Sequence, residues 1–153
     1  MVNQEIENTS LIEARTQVWK HLCQIKESNK IGSAYLFSGP VGSGKEDIAI
    51  KFGQLLNCEI LKEFPCELCP SCRRFRQLQH EKLTLIFPLP TPKTSMIDND
   101  STAIDKQNLD IVTEAIVKKA KTSFFKIQIP KANRILIQSV RTLRRTLYLK
   151  TDD

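Results

Sequence analysis

The sequence has no apolar run long enough to cross a membrane, since a spanning helix needs about 20 consecutive apolar residues. Its first residues, Met1 to Glu5, are polar and do not form the apolar core of a signal peptide. Of the 153 residues, 41% are hydrophobic, which is enough for one modest core and requires no second large domain. We therefore expect a cytoplasmic protein that does not associate with membranes.

Acidic residues are fewer than basic ones, with 17 Asp and Glu against 23 Lys and Arg and a formal net charge of +6. An excess of positive charge favours acidic partners, of which nucleic acid is the commonest. Solvated lysines on an ordinary surface give the same total. Net charge alone therefore does not decide the partner.

The stretch from Ser38 to Glu46 reads SGPVGSGKE and is a nearly complete phosphate-binding loop. The pattern G-x-x-x-x-G-K-S/T uses glycines so that backbone N–H groups close around phosphate oxygens, a lysine to reach the outer phosphates and a hydroxyl to hold magnesium. Glu46 stands where the hydroxyl belongs. The residues that we expect to line a nucleotide site are Gly39, Pro40, Gly42, Ser43, Gly44, Lys45 and Glu46.

Apolar residues on both sides of the loop predict a strand, the loop and a helix in that order. Ala34 to Phe37 is a short strand candidate, and Ile48, Phe52 and Leu55 recur at helical spacing. This order directs helix N–H groups and the positive end of the helix dipole at an anion. A glycine-rich turn without a ligand is the alternative.

Glu46 changes the expected chemistry of the loop more than its fold. Two like unit charges at 4 Å repel by roughly 1 kcal/mol in water and by roughly 4 kcal/mol at an effective dielectric constant near 20. We therefore expect ATP or ADP to bind weakly and magnesium to be held poorly. Hydrolysis should suffer more than binding, because metal placement is much of phosphoryl-transfer catalysis.

A hydrolysing P-loop enzyme also needs a strand that ends in an acid, the Walker B element, to hold magnesium and orient water. No apolar run in this sequence ends in such an Asp-Glu pair. We therefore expect that the chain is an N-terminal fragment and not an active ATPase by itself.

Four of the five cysteines follow the predicted loop helix with the spacing C-x7-C-x2-C-x2-C, at Cys58, Cys66, Cys69 and Cys72. Without a signal peptide, cysteines are better explained as metal ligands or free thiols than as disulfides. Two-residue gaps let a tight turn direct successive thiolates at one tetrahedral centre. We predict a closed, structural zinc knuckle, with a redox C-x-x-C pair as the alternative.

The basic residues and the histidine after the knuckle, and the one cysteine outside it, are interpreted separately. Arg73, Arg74 and Arg76 form a basic helix that either contacts phosphates or is a solvated face. His80 is interpreted as a turn residue, because four thiolates already close the zinc site. The remaining cysteine, Cys23, is predicted to be a small buried apolar residue.

Apolar periodicity also organises the rest of the chain. Leu11, Val18, Leu22 and Ile25 predict N-terminal helices with Trp19 as a core anchor, and Leu109, Val112, Ile116 and Ala120 predict a later helix. Phe125, Ile127 and Ile129 alternate as in a strand or an extended arm. The interpretation divides the chain into N-terminal helices (1–30), a strand, loop and helix (34–57), a zinc module (58–80), a strand (83–87), an insert (88–132) and a strand with a basic helix (133–150).

These motifs together resemble the AAA+ clamp-loader subunits of bacterial DNA polymerase III, of the gamma/tau and delta-prime types. The resemblance rests on Ser33 to Pro40 running into Gly42 to Lys45, on the cysteine spacing through Cys66 to Arg73, and on Ile137 to Lys150. It covers most of residues 11–88 and 133–150. It implies an incomplete α/β P-loop NTPase core of the AAA+ class, with a four-cysteine zinc knuckle inserted after the loop helix.

The resemblance also implies a function. The chain would be one subunit of a pentameric loader, within the DNA polymerase holoenzyme, that opens the sliding clamp and places it on primed DNA. Its direct partners would be the other clamp-loader subunits. Glu46 favours a weakly or non-hydrolysing delta-prime-type scaffold over an ATP-hydrolysing gamma/tau motor, and the insert at 88–132 is longer than in typical members.

Two alternatives from other classes compete with this interpretation. A P-loop kinase with a zinc-bound lid would combine the same two motifs, although its cysteines normally come in two pairs. The knuckle and the arginines after it could instead form an independent nucleic-acid module, which salt-sensitive DNA binding would reveal.

Overall fold

The structure is a computed structural model that describes residues 16–40, 42–60, 64–90 and 106–149. Five helices lie within these ranges: α1 Thr16–Glu27, α2 Lys45–Leu56, α3 Pro70–Arg76, α4 Lys106–Lys121 and α5 Ile137–Leu149. The predictions made for residues 1–15 and 91–105 lie outside the described residues. The described part of the chain divides between two compact units, one holding the residues up to Leu83 with Ala120–Phe125 and the other holding the rest.

The core of the first unit is the interface between α1 and α2. Each helix contributes buried side chains spaced three or four residues apart, which places them on one face; they are Trp19, Leu22 and Cys23 on α1, and Ile48, Phe52 and Leu55 on α2. Phe37, from the segment before the phosphate loop, packs against this cluster. The predicted burial of Cys23 is confirmed, whereas Val18 of the predicted stripe is 48% exposed.

Helix α3 packs against the other side of α2 at its C-terminal end. Phe75 is buried, and a Cβ atom added at Gly53 would lie only 3.3 Å from its ring. The buried Gln54 side chain donates from Nε2 to the carbonyl oxygen of Cys72 at 3.2 Å. Close packing and a buried hydrogen bond therefore join α2 to α3.

In the second unit, α4 confirms the helix predicted from the apolar residues between 109 and 120. Its buried face carries Val112, Ala115 and Lys119. Further along, Ile127 and Ile129 are buried while Lys126 and Gln128 are exposed. This alternation is the burial pattern predicted for a strand or an extended arm.

The described ranges contain no strand. The predictions of strands at 34–37, at 83–87 and before Ile137 are therefore wrong. A strand exists only where a neighbouring segment completes a ladder of backbone hydrogen bonds, and β-rich composition cannot supply that neighbour. Residues 84–87 of the predicted strand instead line a cavity of about 190 Å³ beside α5. The side chains that line the cavity are Thr84, Leu85, Ile86, Phe87, Leu89, Ser139, Thr142, Leu143 and Thr146.

Helix α5 begins at Ile137 and exposes several of its apolar side chains. Ile137, Val140 and Leu147 are 64%, 45% and 59% exposed. Among the described helices, none has the length and apolar character needed to cross a bilayer.

The central position of α2 in the first unit gives a stability prediction. Leu55 is 0% exposed, so Leu55→Ala should lower the free energy of unfolding by about 2–5 kcal/mol through lost burial and a new cavity. Leu36 is 92% exposed, and Leu36→Ala should change it by less than about 0.5 kcal/mol. Urea unfolding followed by circular dichroism measures both, and equal shifts for the two variants would contradict the assigned core.

Candidate metal centre and phosphate loop

Four thiols converge where the end of α2 meets the start of α3. The Sγ atoms of Cys58, Cys66, Cys69 and Cys72 all lie within 4.8 Å of one another, and those of Cys66 and Cys72 are 3.8 Å apart. Sulfur ligands at about 2.3 Å from a tetrahedral zinc ion are about 3.8 Å from each other. All five cysteines of the chain carry free thiols, so these four could hold a metal ion.

Main-chain N–H groups orient the sulfur atoms. The N–H of Cys66 donates to Cys58 Sγ at 3.4 Å, that of Cys69 to Cys66 Sγ at 3.3 Å and that of Cys72 to Cys69 Sγ at 3.4 Å. The chain turns between Cys66 and Cys69 through Glu67, whose φ of 59° lies in the left-handed region. Cys69 is also the N-cap of α3, and Pro70 follows in the first turn, where it loses no helical hydrogen bond.

These hydrogen bonds favour thiolates at the more accessible end of the cluster. The N–H of Cys69 lowers the pKa of the Cys66 thiol. Burial opposes ionisation of Cys58, but the hydrogen bond from the Cys66 N–H helps to leave its pKa lowered overall. Burial raises the pKa of Cys72. A metal ion would supply the positive charge that this buried thiol needs in order to ionise.

The phosphate loop has the backbone that its glycines predict. Gly42 and Gly44 have φ values of 76° and 66°, a left-handed conformation that side-chain-bearing residues rarely adopt. The N–H of Ser43 donates to the Pro40 carbonyl oxygen at 3.2 Å and closes a turn. Helix α2 then begins at Lys45, with Gly44 as its N-cap.

The lysine of the loop contacts the loop itself. Lys45 Nζ donates to the carbonyl oxygens of Gly39 at 3.1 Å and Pro40 at 2.9 Å. An ammonium group in this position satisfies two backbone acceptors. It would have to leave one or both of them in order to contact an outer phosphate.

Two carboxylates occupy the first turn of α2. Glu46 is exposed, and Asp47 is only 6% exposed, with an Oδ2 atom that accepts no hydrogen bond from the described residues. Negative charge is favourable at a helix N-terminus, but carboxylates already there repel an incoming phosphate, which carries charge of the same sign. The P-loop pattern in the sequence identified Glu46 as a charge that disfavours nucleotide. Asp47 lies outside that pattern, so its charge was not predicted to matter.

A family model described as DNA polymerase III, delta subunit, matches residues 14–148. The chain belongs to this family. The DNA polymerase III subunit delta' of Bacillus subtilis (strain 168) is 29% identical over 117 residues, which are 76% of this chain and 32% of that protein. The chain therefore spans about a third of the length of this curated relative. No solved structure matches the chain at a significant level.

Family membership confirms the resemblance to delta-prime-type clamp-loader subunits. The four cysteines come together as their spacing predicts, and Lys45 meets Gly39 and Pro40 within the loop. Assignment of these residues to zinc and to a nucleotide stays a prediction.

The basic residues after the cysteines have different environments. Arg73 and Arg76 are exposed. Arg74 lies 3.5 Å from the Glu81 carboxylate, and this pairing opposes the interpretation of all three arginines as free phosphate contacts. The Leu83 N–H donates to the His80 carbonyl oxygen at 2.9 Å and closes a turn, so His80 is a turn residue as predicted. Its side chain is buried, and it is not part of the thiol cluster in the described residues.

Two variants test the metal centre in this member of the family. Cys72→Ser removes a fully buried candidate ligand and should weaken metal binding by more than the roughly 10- to 100-fold that loss of an outer-shell partner costs. Cys23→Ala changes the cysteine outside the cluster and should leave the affinity unchanged. Metal analysis and zinc competition against a chromogenic chelator measure both, and equal zinc affinities for the two variants would contradict the assignment.

Proposed function

We propose that the chain acts in the clamp loader of bacterial DNA polymerase III as a cytoplasmic, delta-prime-type subunit that binds nucleotide weakly and hydrolyses it poorly or not at all. Its direct partners are the other clamp-loader subunits. It takes part in loading the sliding clamp onto primed DNA through the assembled complex. The family match over residues 14–148 and the similarity to a delta' subunit support this proposal.

The observation that carries the weak-nucleotide part of the proposal is the charge at the start of α2. Lys45, which would neutralise outer phosphates, bonds to the carbonyl oxygens of Gly39 and Pro40. Glu46 and Asp47 follow in the first helical turn. A nucleotide must displace the lysine contacts and approach two carboxylates, and both requirements weaken binding.

Magnesium is affected by the same residues. A neutral hydroxyl at position 46 would hold the ion beside the phosphates without adding charge. Glu46 adds a negative charge there, which raises the cost of placing phosphate oxygens nearby. Phosphoryl transfer depends on accurate metal placement, so hydrolysis is more affected than binding.

We also propose that Cys58, Cys66, Cys69 and Cys72 hold a structural zinc ion within an AAA+ P-loop core. Four soft thiolate donors with N–H···S hydrogen bonds suit zinc. Four protein ligands leave no position for water, so the ion would be structural and not catalytic. Bound zinc would fix the start of α3 relative to the end of α2.

Nucleotide titration tests the proposed function. Calorimetric titration of ATP should give a Kd weaker than about 10 μM, equivalent to roughly −7 kcal/mol, with no gain from magnesium. Glu46→Thr should tighten binding in magnesium by at least about 5-fold, because it removes like-charge repulsion of roughly 1 kcal/mol or more. Glu27→Thr, an exposed glutamate at the end of α1, is the matched control and should have no effect.

Tight, magnesium-dependent binding by the unaltered chain would overturn the weak-nucleotide proposal. It would favour the ATP-hydrolysing gamma/tau-like motor in its place. Failure of Glu46→Thr to improve binding would show that Glu46 is not the cause of weak affinity.

Assembly tests the partner assignment separately. The chain mixed with purified clamp-loader subunits from the same organism should co-elute with them in size-exclusion chromatography. Elution of the chain alone at micromolar concentration of every subunit would contradict direct partnership. Because this assay contains no nucleotide, its result does not depend on the phosphate loop.

A further inference from the structure

A buried histidine contacts the first turn of α3, which also contains the candidate ligand Cys72. The His80 side chain is 5% exposed, and its Nε2 atom lies 3.1 Å from Ser71 Oγ. The main-chain N–H of Lys82 donates to Nδ1 at 3.1 Å. Because Nδ1 accepts this bond, the neutral ring carries its proton on Nε2, which donates to the Ser71 hydroxyl.

The histidine is also held by packing. Its ring stacks on Phe75 with centroids 4.2 Å apart and planes inclined by 28°. The Gln79 N–H donates to the Arg74 carbonyl oxygen at 2.9 Å, and the Arg74 and Glu81 side chains pair at 3.5 Å. Residues 77–82 therefore fold back over α3, and we call this segment the His80 clasp.

The clasp contacts the part of α3 that carries two candidate ligands. Ser71 is 5% exposed and stands between Cys69, at 8%, and Cys72, at 0%. Helix α3 has only 7 residues, too few for independent stability. Its first turn therefore depends on contacts from outside, and the clasp provides a hydrogen bond to Ser71 and a stacked ring on Phe75.

We propose that His80 is a positioning residue for the metal centre: through Ser71 and Phe75 it holds the first turn of α3 so that Cys69 and Cys72 face the other two thiols before metal binds. The proposal rests on the metal site proposed above. An ordered ligand set loses less conformational entropy on binding, so the clasp raises metal affinity. Outer-shell partners of this kind typically contribute a factor of about 10 to 100.

The test compares two substitutions that each keep one nitrogen position of His80. His80→Asn keeps an acceptor near Nδ1 and loses the donor to Ser71, whereas His80→Gln keeps a donor near Nε2. Ser71→Ala removes the hydroxyl that accepts from His80 Nε2.

His21→Asn is the matched control, since His21 is exposed on α1. Zinc affinity is measured by chelator competition, and Co²⁺ absorption reports the ligand set.

We expect His80→Asn and Ser71→Ala each to weaken zinc binding about 10-fold or more. The double variant should lose no more than His80→Asn alone, because that substitution already removes the hydrogen bond to Ser71. His80→Gln should recover most of the affinity, and His21→Asn should match the unaltered chain. The Co²⁺ bands of a tetrahedral thiolate site should persist in every variant, since His80 is not a ligand.

Several results would overturn the proposal. Unchanged zinc affinity in His80→Asn and Ser71→Ala would show that the contact does not position the thiols, and additive losses without recovery in His80→Gln would indicate a general loss of stability. If His80→Asn fails to fold by circular dichroism, Ser71→Ala decides the result. Absence of thiolate–Co²⁺ bands in the unaltered chain would instead refute the metal site itself, and this proposal with it.

Discussion

Burial of helix α2 on two sides is the constraint on which both parts of the candidate site depend. One face packs on α1 through residues that include the fully buried Leu55. The C-terminal end meets α3, where Gln54 donates to the Cys72 carbonyl oxygen and Gly53 leaves room for Phe75. A helix of 12 residues is marginal in isolation, so these contacts fix both the phosphate loop at its start and the thiols at its end.

The two ends of α2 carry different chemical groups. At the C-terminal end, four soft donors converge at distances that suit one tetrahedral ion. At the N-terminal end, Lys45 is engaged by loop carbonyl oxygens, and two carboxylates occupy the first turn. The thiol cluster therefore suits the proposed metal ion, while the loop keeps the backbone conformation of a phosphate-binding loop but carries charges that oppose nucleotide. This combination supports the proposal of a subunit that binds nucleotide weakly.

Sequence periodicity was sufficient wherever the determinant was local. Helical spacing predicted α2 and α4, and the cysteine spacing predicted the cluster. The strands were not predictable in this way, because a ladder needs a partner segment that composition does not identify. The Gln54 bond to Cys72 spans 18 residues, and the contact of His80 with Ser71 depends on how the chain folds back after α3. No residue pattern in the sequence predicts either of these contacts.

Amide hydrogen exchange of the chain, loaded with zinc and after removal of zinc by a chelator, tests most directly the claim that α2 supports both sites. The account predicts that α3 and the end of α2 around Gly53 and Gln54 lose protection together, because their buried contacts are shared. Helix α4, in the second unit, should keep its protection. Loss of protection in α3 alone, with α2 unchanged, would contradict the account.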